Sequence, residues 1–146
     1  MWLTKRPETM NRHRGQIAFP GGKRDPGDES ALHTALRETE EEVGFLPSNV
    51  DVFGGLDDLI TTTGYNISPF VGWLKEDVAA RPNPHEIARA FCVPLAAFVF
   101  IEPRPHFFRG KGITRIAPSY AVDGELVWGA TARIMMSFVR VVRTVL

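Results

Sequence analysis

Glu38, Glu41 and Glu42 lie three and four residues apart in the run Arg37-Glu38-Thr39-Glu40-Glu41-Glu42-Val43-Gly44-Phe45. On a helix that spacing puts their side chains on one side. Like charges so placed destabilise a bare helix, and these crowd its C-terminal end, where the helix dipole also disfavours negative charge. A local rule broken in this way marks a candidate functional site. A hard divalent cation, Mg²⁺ or Mn²⁺, is the compensation that fits, because carboxylate oxygens are the ligands such ions take. A solvated acidic helix end is the plainer alternative. Arg37 and the glycine-rich stretch ahead of the helix weigh against it.

The elements that position these residues lie immediately upstream. Gly21-Gly22 and Pro26-Gly27 punctuate a loop that must change direction more than once. Asp28 or Ser30 can cap the helix that follows, their side-chain oxygens accepting from its free N–H groups. Leu32, Leu36 and Val43, with Ala35 and Thr39 between them, recur at helical spacing and define a face that packs on a core. Gly44 ends the helix where a left-handed cap is expected.

With 146 residues, the chain is expected to form a single domain, residues 1–146. Hydrophobic residues make up 44% and charged residues 23%, the balance of a soluble globular protein. The net charge is zero, so no global field favours nucleic acid or a membrane. Positive charge is uneven, however: Lys5, Arg6, Arg12, Arg14, Lys23 and Arg24 all precede the acidic helix. That excess suits a small anionic, phosphate-bearing substrate, with scattered surface charge as the alternative. The single Cys92 excludes an internal disulfide, fits a reducing compartment, and is expected to be a small core residue. No signal-peptide pattern or bilayer-length apolar run is visible, so a cytoplasmic location is expected.

Met1–Arg6 reads as the tail of a strand that begins abruptly, as if its lead-in were cut away. Gly15–Pro20 is a short strand with Ile17 and Phe19 on one face. Val50–Phe53 is a brief strand, residues 54–59 a turn, Thr61–Ser68 a polar loop, and Pro69–Leu74 an apolar strand expected to be central. A proline-stiffened loop, Arg81–Pro84, leads to an apolar strand ending in Val93-Pro94-Leu95, and Leu95–Ile101 is a short helix. Residues 102–112 read as a basic, aromatic loop with Arg104, His106, Phe107, Phe108, Arg109 and Lys111. It could stack on adenine and hold a phosphate, or be a surface hairpin. Ile113–Val122, with Pro118, is expected to be an edge strand. Asp123-Gly124 is a hairpin signal, and Glu125–Gly129 is the return strand. Ala130–Leu146 is helical, with Ile134, Met135, Phe138, Val141, Val142 and Val145 as its packing side. His13, His33, His85 and His106 show no mutual ligand spacing and are expected on the surface or in loops.

Arg37 to Phe45, behind a Gly-Gly loop, resembles the second half of the Nudix box, Arg-Glu-apolar-x-Glu-Glu-x-Gly-apolar. Thr39 takes the apolar slot, and six residues separate Gly22 from Glu29 where five are usual. Leu3-Thr4-Lys5-Arg6, an Arg-containing loop and Gly15-Gln16-Ile17-Ala18-Phe19-Pro20-Gly21-Gly22 resemble the signature of the coenzyme A pyrophosphatase branch, whose box carries the longer loop. Leu56-Asp57-Asp58-Leu59 with Thr61, Gly64 and Pro69–Gly72, and Trp128-Gly129-Ala130-Thr131-Ala132, are similar to the same branch.

The resemblance implies an α/β (α+β) Nudix fold, a mixed β-sheet sandwiched between α-helices, with the box as loop-helix-loop. It implies metal-dependent hydrolysis of coenzyme A to 3′,5′-ADP and 4′-phosphopantetheine. Another nucleoside diphosphate such as ADP-ribose or NADH is the nearest alternative, and a non-catalytic nucleotide-binding module is an alternative of another class. Glu38, Glu41 and Glu42 would hold the ion. Glu38, Glu41, Arg37 and Glu86 would be catalytic, with Arg37 orienting the glutamates. Glu86, in Asn83-Pro84-His85-Glu86, would be a further ligand or base, or a structural cap. Arg6, Arg14, Gln16, Gly21, Gly22 and Lys23 would bind substrate. Asp57 and Asp58 would line the cleft or be exposed turn carboxylates. A homodimer is compatible with the family.

Overall fold

The computed structural model describes residues 1–9, 13–75, 78–110 and 112–146, so Arg12 and Lys111 lie outside the described residues. Strand β1 (Trp2–Lys5) pairs antiparallel with β2 (Ile17–Ala18) on one side, matching Thr4 with Ala18. On its other side β1 pairs with β7 (Arg89–Cys92), matching Leu3 with Phe91. A second sheet is built from β8 (Arg104–Gly110), β9 (Ile113–Val122) and β10 (Glu125–Trp128), in the order β10-β9-β8. β10 lies against β2, so the two sheets meet along those strands. Two further antiparallel pairs, β3 (Val50–Gly55) with β6 (Phe70–Leu74) and β4 (Leu59–Ile60) with β5 (Asn66–Ile67), form between helix α1 (Ala31–Val43) and β7.

Strand alternation decides which side chains enter the core. Leu3, Ile17, Phe91 and Val127 project from β1, β2, β7 and β10 into one cluster with Phe98, Ala132, Met135 and Val139. Phe98 belongs to the short helix α2 (Ala96–Val99) and the last three to α3 (Gly129–Arg143), so the helices cover this face. Leu3, Val127, Phe98 and Met135 are fully enclosed, and each such side chain stabilises the fold by about 1.5–3 kcal/mol. On the same side Lys5 donates to both carboxylate oxygens of Glu125 at 3.0 Å, tying β1 to β10. The opposite face of β1 meets the α1 side of the molecule, where the Trp2 and Phe45 rings pack edge-on with centroids 5.1 Å apart. Helices on both faces of the strands give the mixed α+β content expected, and every strand register among the described residues is antiparallel. Among the described residues no helix is long and apolar enough to cross a membrane.

Several elements differ from the sequence reading. Residues 104–110, open between a substrate-binding loop and a surface hairpin, form strand β8 of the β8–β9 hairpin, and β9 is the middle strand of its sheet although it contains Pro118. Pro118 sits opposite Pro105 at a non-hydrogen-bonded rung of the β8–β9 ladder, so neither missing N–H orphans a carbonyl between these strands. Among the described residues β6 pairs with β3 alone and is not central. Gly54 and Gly55 continue β3 past a bulge at Phe53, and residues 61–65 form the tip joining β4 to β5. Cys92 is exposed; its neighbours Phe91 and Val93 take the inward positions of the alternation. The buried stripe of α3 runs through Thr131, Ala132, Met135 and Val139, which leaves Val141 and Val145 facing out. The hairpin at Asp123-Gly124 forms as expected, with left-handed φ values of 51° and 74°.

Candidate metal and substrate site

Helix α1 is fixed at both ends by residues legible in the sequence. Ser30, with φ −153°, accepts from the His33 N–H through its side chain, at 3.0 Å. Gly44, with φ 78°, donates its N–H to Glu40 O at 2.9 Å. Successive residues turn about 100° around the axis, so Glu38 and Glu42 share one line, while Glu41 swings back toward Arg37. Thr34, Glu42 and Val43 are the buried residues of α1, whereas Leu32 and Leu36 are half-buried. The helix seats a carboxylate, not only an apolar stripe, against the molecule.

Ligand oxygens of Glu38, Glu42 and Glu86 come within 4.8 Å of one another. Glu42 is 3% exposed and accepts from the Gly21 N–H at 3.0 Å. Gly22 abuts Glu38 so closely that a Cβ there would fall 2.2 Å from the Glu38 Cδ. Asn83 brings in the third carboxylate. Its N–H caps the carbonyl of Glu42 at 2.9 Å, and its side-chain amide donates to Glu86 at 3.2 Å. Burial pushes the Glu42 carboxyl up to about 7, aided by the charges of Glu38 and Glu86 and opposed by the Gly21 N–H and Arg6. Glu38 is also pushed up, again chiefly by burial, against the pull of Arg37.

Arg37 organises the outer side of this group. Its Nε and Nη2 reach the two Asp28 oxygens at 2.9 and 3.0 Å, a bidentate pair. It also donates to Glu41 at 3.0 Å, lies 3.1 Å from Glu38, and holds the Lys23 carbonyl at 3.3 Å. Asp28 therefore serves Arg37 rather than capping α1. Its carboxyl also accepts from Thr34 at 2.8 Å and from the Asp25 N–H at 2.9 Å. Arg37, then the Asp25 N–H, holds the Asp28 carboxyl far below the usual carboxylate range. Glu29, one residue on, is exposed.

The other candidates divide. Gly21 and Gly22 wall the carboxylate group, and Arg6 lies near enough to favour the charged form of Glu42. Gln16 is engaged by His13, its Oε1 lying 2.8 Å from Nδ1, and its carbonyl accepts from the Arg6 N–H at 3.1 Å. Arg14 and Lys23 are exposed. Glu41 is half exposed and stays with Arg37, outside the three-carboxylate group. Asp57 is exposed, and Asp58 accepts from the Asn66 side chain at 2.8 Å. Sequence reasoning missed Asp28 and Asn83 as organisers. The Asn-Pro-x-Glu string was the available signal for Asn83, whereas the choice between Asp28 and Glu29 depends on the path of the loop.

Residues 1–115 match the NUDIX domain family. The chain is 39% identical over 134 residues to the uncharacterized Nudix hydrolase NudL of Photorhabdus laumondii, covering 91% of this chain and 72% of that one. It is 38% identical over 135 residues to the protein of the same name from Yersinia pestis, covering 91% and 67%. Among solved structures, the MutT protein from Methanosarcina mazei Go1 superposes with a TM-score of 0.53 at 26% identity, covering 69% of this chain and 71% of that one. A C. elegans Ap4A hydrolase binary complex gives a TM-score of 0.55 at 20% identity, covering 64% and 67%, a likeness of fold.

Proposed function

This chain belongs to the NUDIX domain family, and from that premise we propose a metal-dependent hydrolase that cleaves coenzyme A or its derivatives at the diphosphate linkage. The products are 3′,5′-ADP and 4′-phosphopantetheine. The supporting observation is the convergence of Glu38, Glu42 and Glu86 within 4.8 Å, flanked by Arg6. Three carboxylates so close, one of them buried, form a donor set that fits a hard divalent ion, Mg²⁺ or Mn²⁺. When bound, such an ion neutralises diphosphate charge and lowers the pKa of water.

Glu38, Glu42 and Glu86 hold the ion in this reading, with Glu41 beside them in the motif. Glu41 or Glu86 orients and deprotonates the attacking water. Arg37 is a positioning residue that fixes Glu38 and Glu41 and is itself fixed by Asp28. Arg6, Arg14 and Lys23 attract the anionic substrate, while the Gly21-Gly22 backbone lets it approach the carboxylates closely. The Leu3–Arg6 and Gly15–Gly22 strings support coenzyme A as the substrate.

Chromatography of coenzyme A incubated with the protein and Mn²⁺ or Mg²⁺ tests the proposal. Release of 3′,5′-ADP, abolished by chelator, is expected. Cleavage of ADP-ribose or NADH with coenzyme A left intact would replace the substrate and keep the chemistry. Absence of turnover across a diphosphate panel would leave the non-catalytic nucleotide-binding module.

Asp28→Asn separates positioning from ligation. The amide can keep one hydrogen bond to Arg37 but loses the charge, so activity is expected to fall by about 10–100-fold, as for other residues that orient metal ligands. The variant should also lose acid-side stability. The Asp28 pKa is depressed by folding, so its contribution is present above the ordinary carboxylate pKa and disappears as pH falls through the folded value. Thermal melts from pH 5 down to pH 2 should show a shallower decline for the variant than for the wild type.

A further inference from the structure

The sheet opposite the core carries an aromatic surface that the chemistry above does not use. In β10, Val127 points into the core, so Leu126 and Trp128 point the other way. Ile17 of the adjacent β2 shares the core with Val127, and its neighbour Ala18 faces away, opposite Thr4 of β1. Trp128, Ala18, Thr4 and Trp2 therefore share one face. It is the α1 face, because Trp2 packs on Phe45 just beyond that helix. Strand β2 continues from it directly into Gly21, whose N–H holds Glu42. Thr131, three residues past Trp128, donates to Ile17 O at 3.0 Å and fixes the lateral position of Trp128. Strand β10 packs against β2 across the junction of the two sheets, so Trp128 stands near the strand that leads to the carboxylates.

Two side chains of β8 complete the surface. The His106 and Phe108 rings lie 5.1 and 5.0 Å from the Trp128 ring, and all three are half-buried, with ring surface still open. Arg104 shares their strand parity, and Arg115 lies directly opposite Phe108. Both arginines are exposed and form no ion pair among the described residues. Residues 103–122 contain no carboxylate at all. A sheet face that carries aromatic rings beside two exposed arginines is complementary to a planar base that carries phosphate.

We propose that Trp128, His106 and Phe108 form the subsite for the nucleobase end of the substrate, with Arg115 and Arg104 meeting its outlying phosphate. This rests on the hydrolase reading above and adds specificity to it: the face selects a diphosphate ester bearing a phosphorylated nucleoside.

Calorimetric titration with 3′,5′-ADP, paired with ribose 5-phosphate as a base-free control, reads the face without turnover. Phe108→Leu is expected to weaken 3′,5′-ADP about tenfold, the size of one base-stacking contact, and to leave ribose 5-phosphate unaffected. Arg115→Ala should weaken the bisphosphate and reduce the salt dependence of its binding. In steady-state assays both variants should raise KM with kcat held, the signature of binding shared by ground and transition states. Wild-type binding of 3′,5′-ADP that is lost in the variants supports the face even if no diphosphate is cut, in which case the hydrolase reading falls alone. Unchanged Kd and KM in both variants, equal weakening of the base-free control by Phe108→Leu, or no wild-type binding of 3′,5′-ADP would overturn the subsite. Melting curves matched to wild type separate loss of binding from loss of fold.

Discussion

Glu42→Gln is expected to cut diphosphate hydrolysis by more than about 10²-fold, exceeding the effect of residues that only orient ligands. Glutamine keeps the shape and can still accept from the Gly21 N–H, so the loop and α1 should stay joined. The change removes charge at the one carboxylate of the group that is almost fully enclosed. That enclosure makes a second, thermodynamic readout. The Glu42 pKa rises on folding from an ordinary 4.5 to about 7. A raised carboxyl pKa favours the folded state at low pH, and that stability is lost as pH rises through the folded value. Metal-free wild type should therefore melt at a lower temperature at pH 8 than at pH 5.5, and the Glu42→Gln variant should flatten this difference. Mn²⁺ at pH 8 should raise the wild-type Tm and have a much smaller effect on the variant, since a ligand of the native state alone stabilises by mass action. Wild-type turnover in Glu42→Gln would remove the three carboxylates from the reaction.

Gly22→Ala should cost about 10²-fold in activity, the penalty of displacing a reacting group by roughly an ångström. The added Cβ would lie 2.2 Å from Glu38 Cδ and 2.4 Å from each carboxylate oxygen. The glutamate must move, and its contact with Arg37 moves with it. Gly27, in the same loop, supplies the control, because a Cβ there meets nothing within 4 Å. Gly27→Ala should leave activity unchanged. Equal rates for the two alanine variants would show that the Glu38 position is not critical. Crystallography of Gly22→Ala would locate the carboxylate directly.

Helix α1 was legible because its boundaries are local: Ser30 supplies an oxygen one turn ahead and Gly44 tolerates a left-handed φ. The association of Glu38 with Glu42 follows from the same helical period, whereas Glu41, which the spacing groups with them, turns to Arg37 instead. Glu86 is different. It reaches α1 only through Asn83, whose backbone docks on the helix end while its side chain holds the glutamate, and no local periodicity encodes that contact. Asp28 escaped for a related reason: loop spacing points to Glu29, yet the Asp25–Asp28 turn ahead of the helix brings the shorter carboxylate to Arg37. Strand β8 was left open between loop and hairpin by its proline and arginines, which carry no strand signal alone. Its extended form depends on β9, a tertiary partner that overrides local preference. Cys92 was misplaced because an apolar run gives hydrophobicity but not the parity of a strand.

Pro105 and Pro118 face each other across β8 and β9. Antiparallel rungs alternate between bonded and non-bonded pairs, and counting from the bonded pair Gly110–Ile113 that closes the hairpin puts both prolines at a non-bonded rung, where neither costs a bond between β8 and β9. Sliding either strand by one residue would turn its proline's missing donor toward the partner strand and forfeit a bond there. The same slip would turn His106 and Phe108 to the far side of the sheet, since side chains alternate with every residue. Two residues that weaken strands in isolation thus act together as an alignment key, and the facing of the whole aromatic surface is set by where they meet.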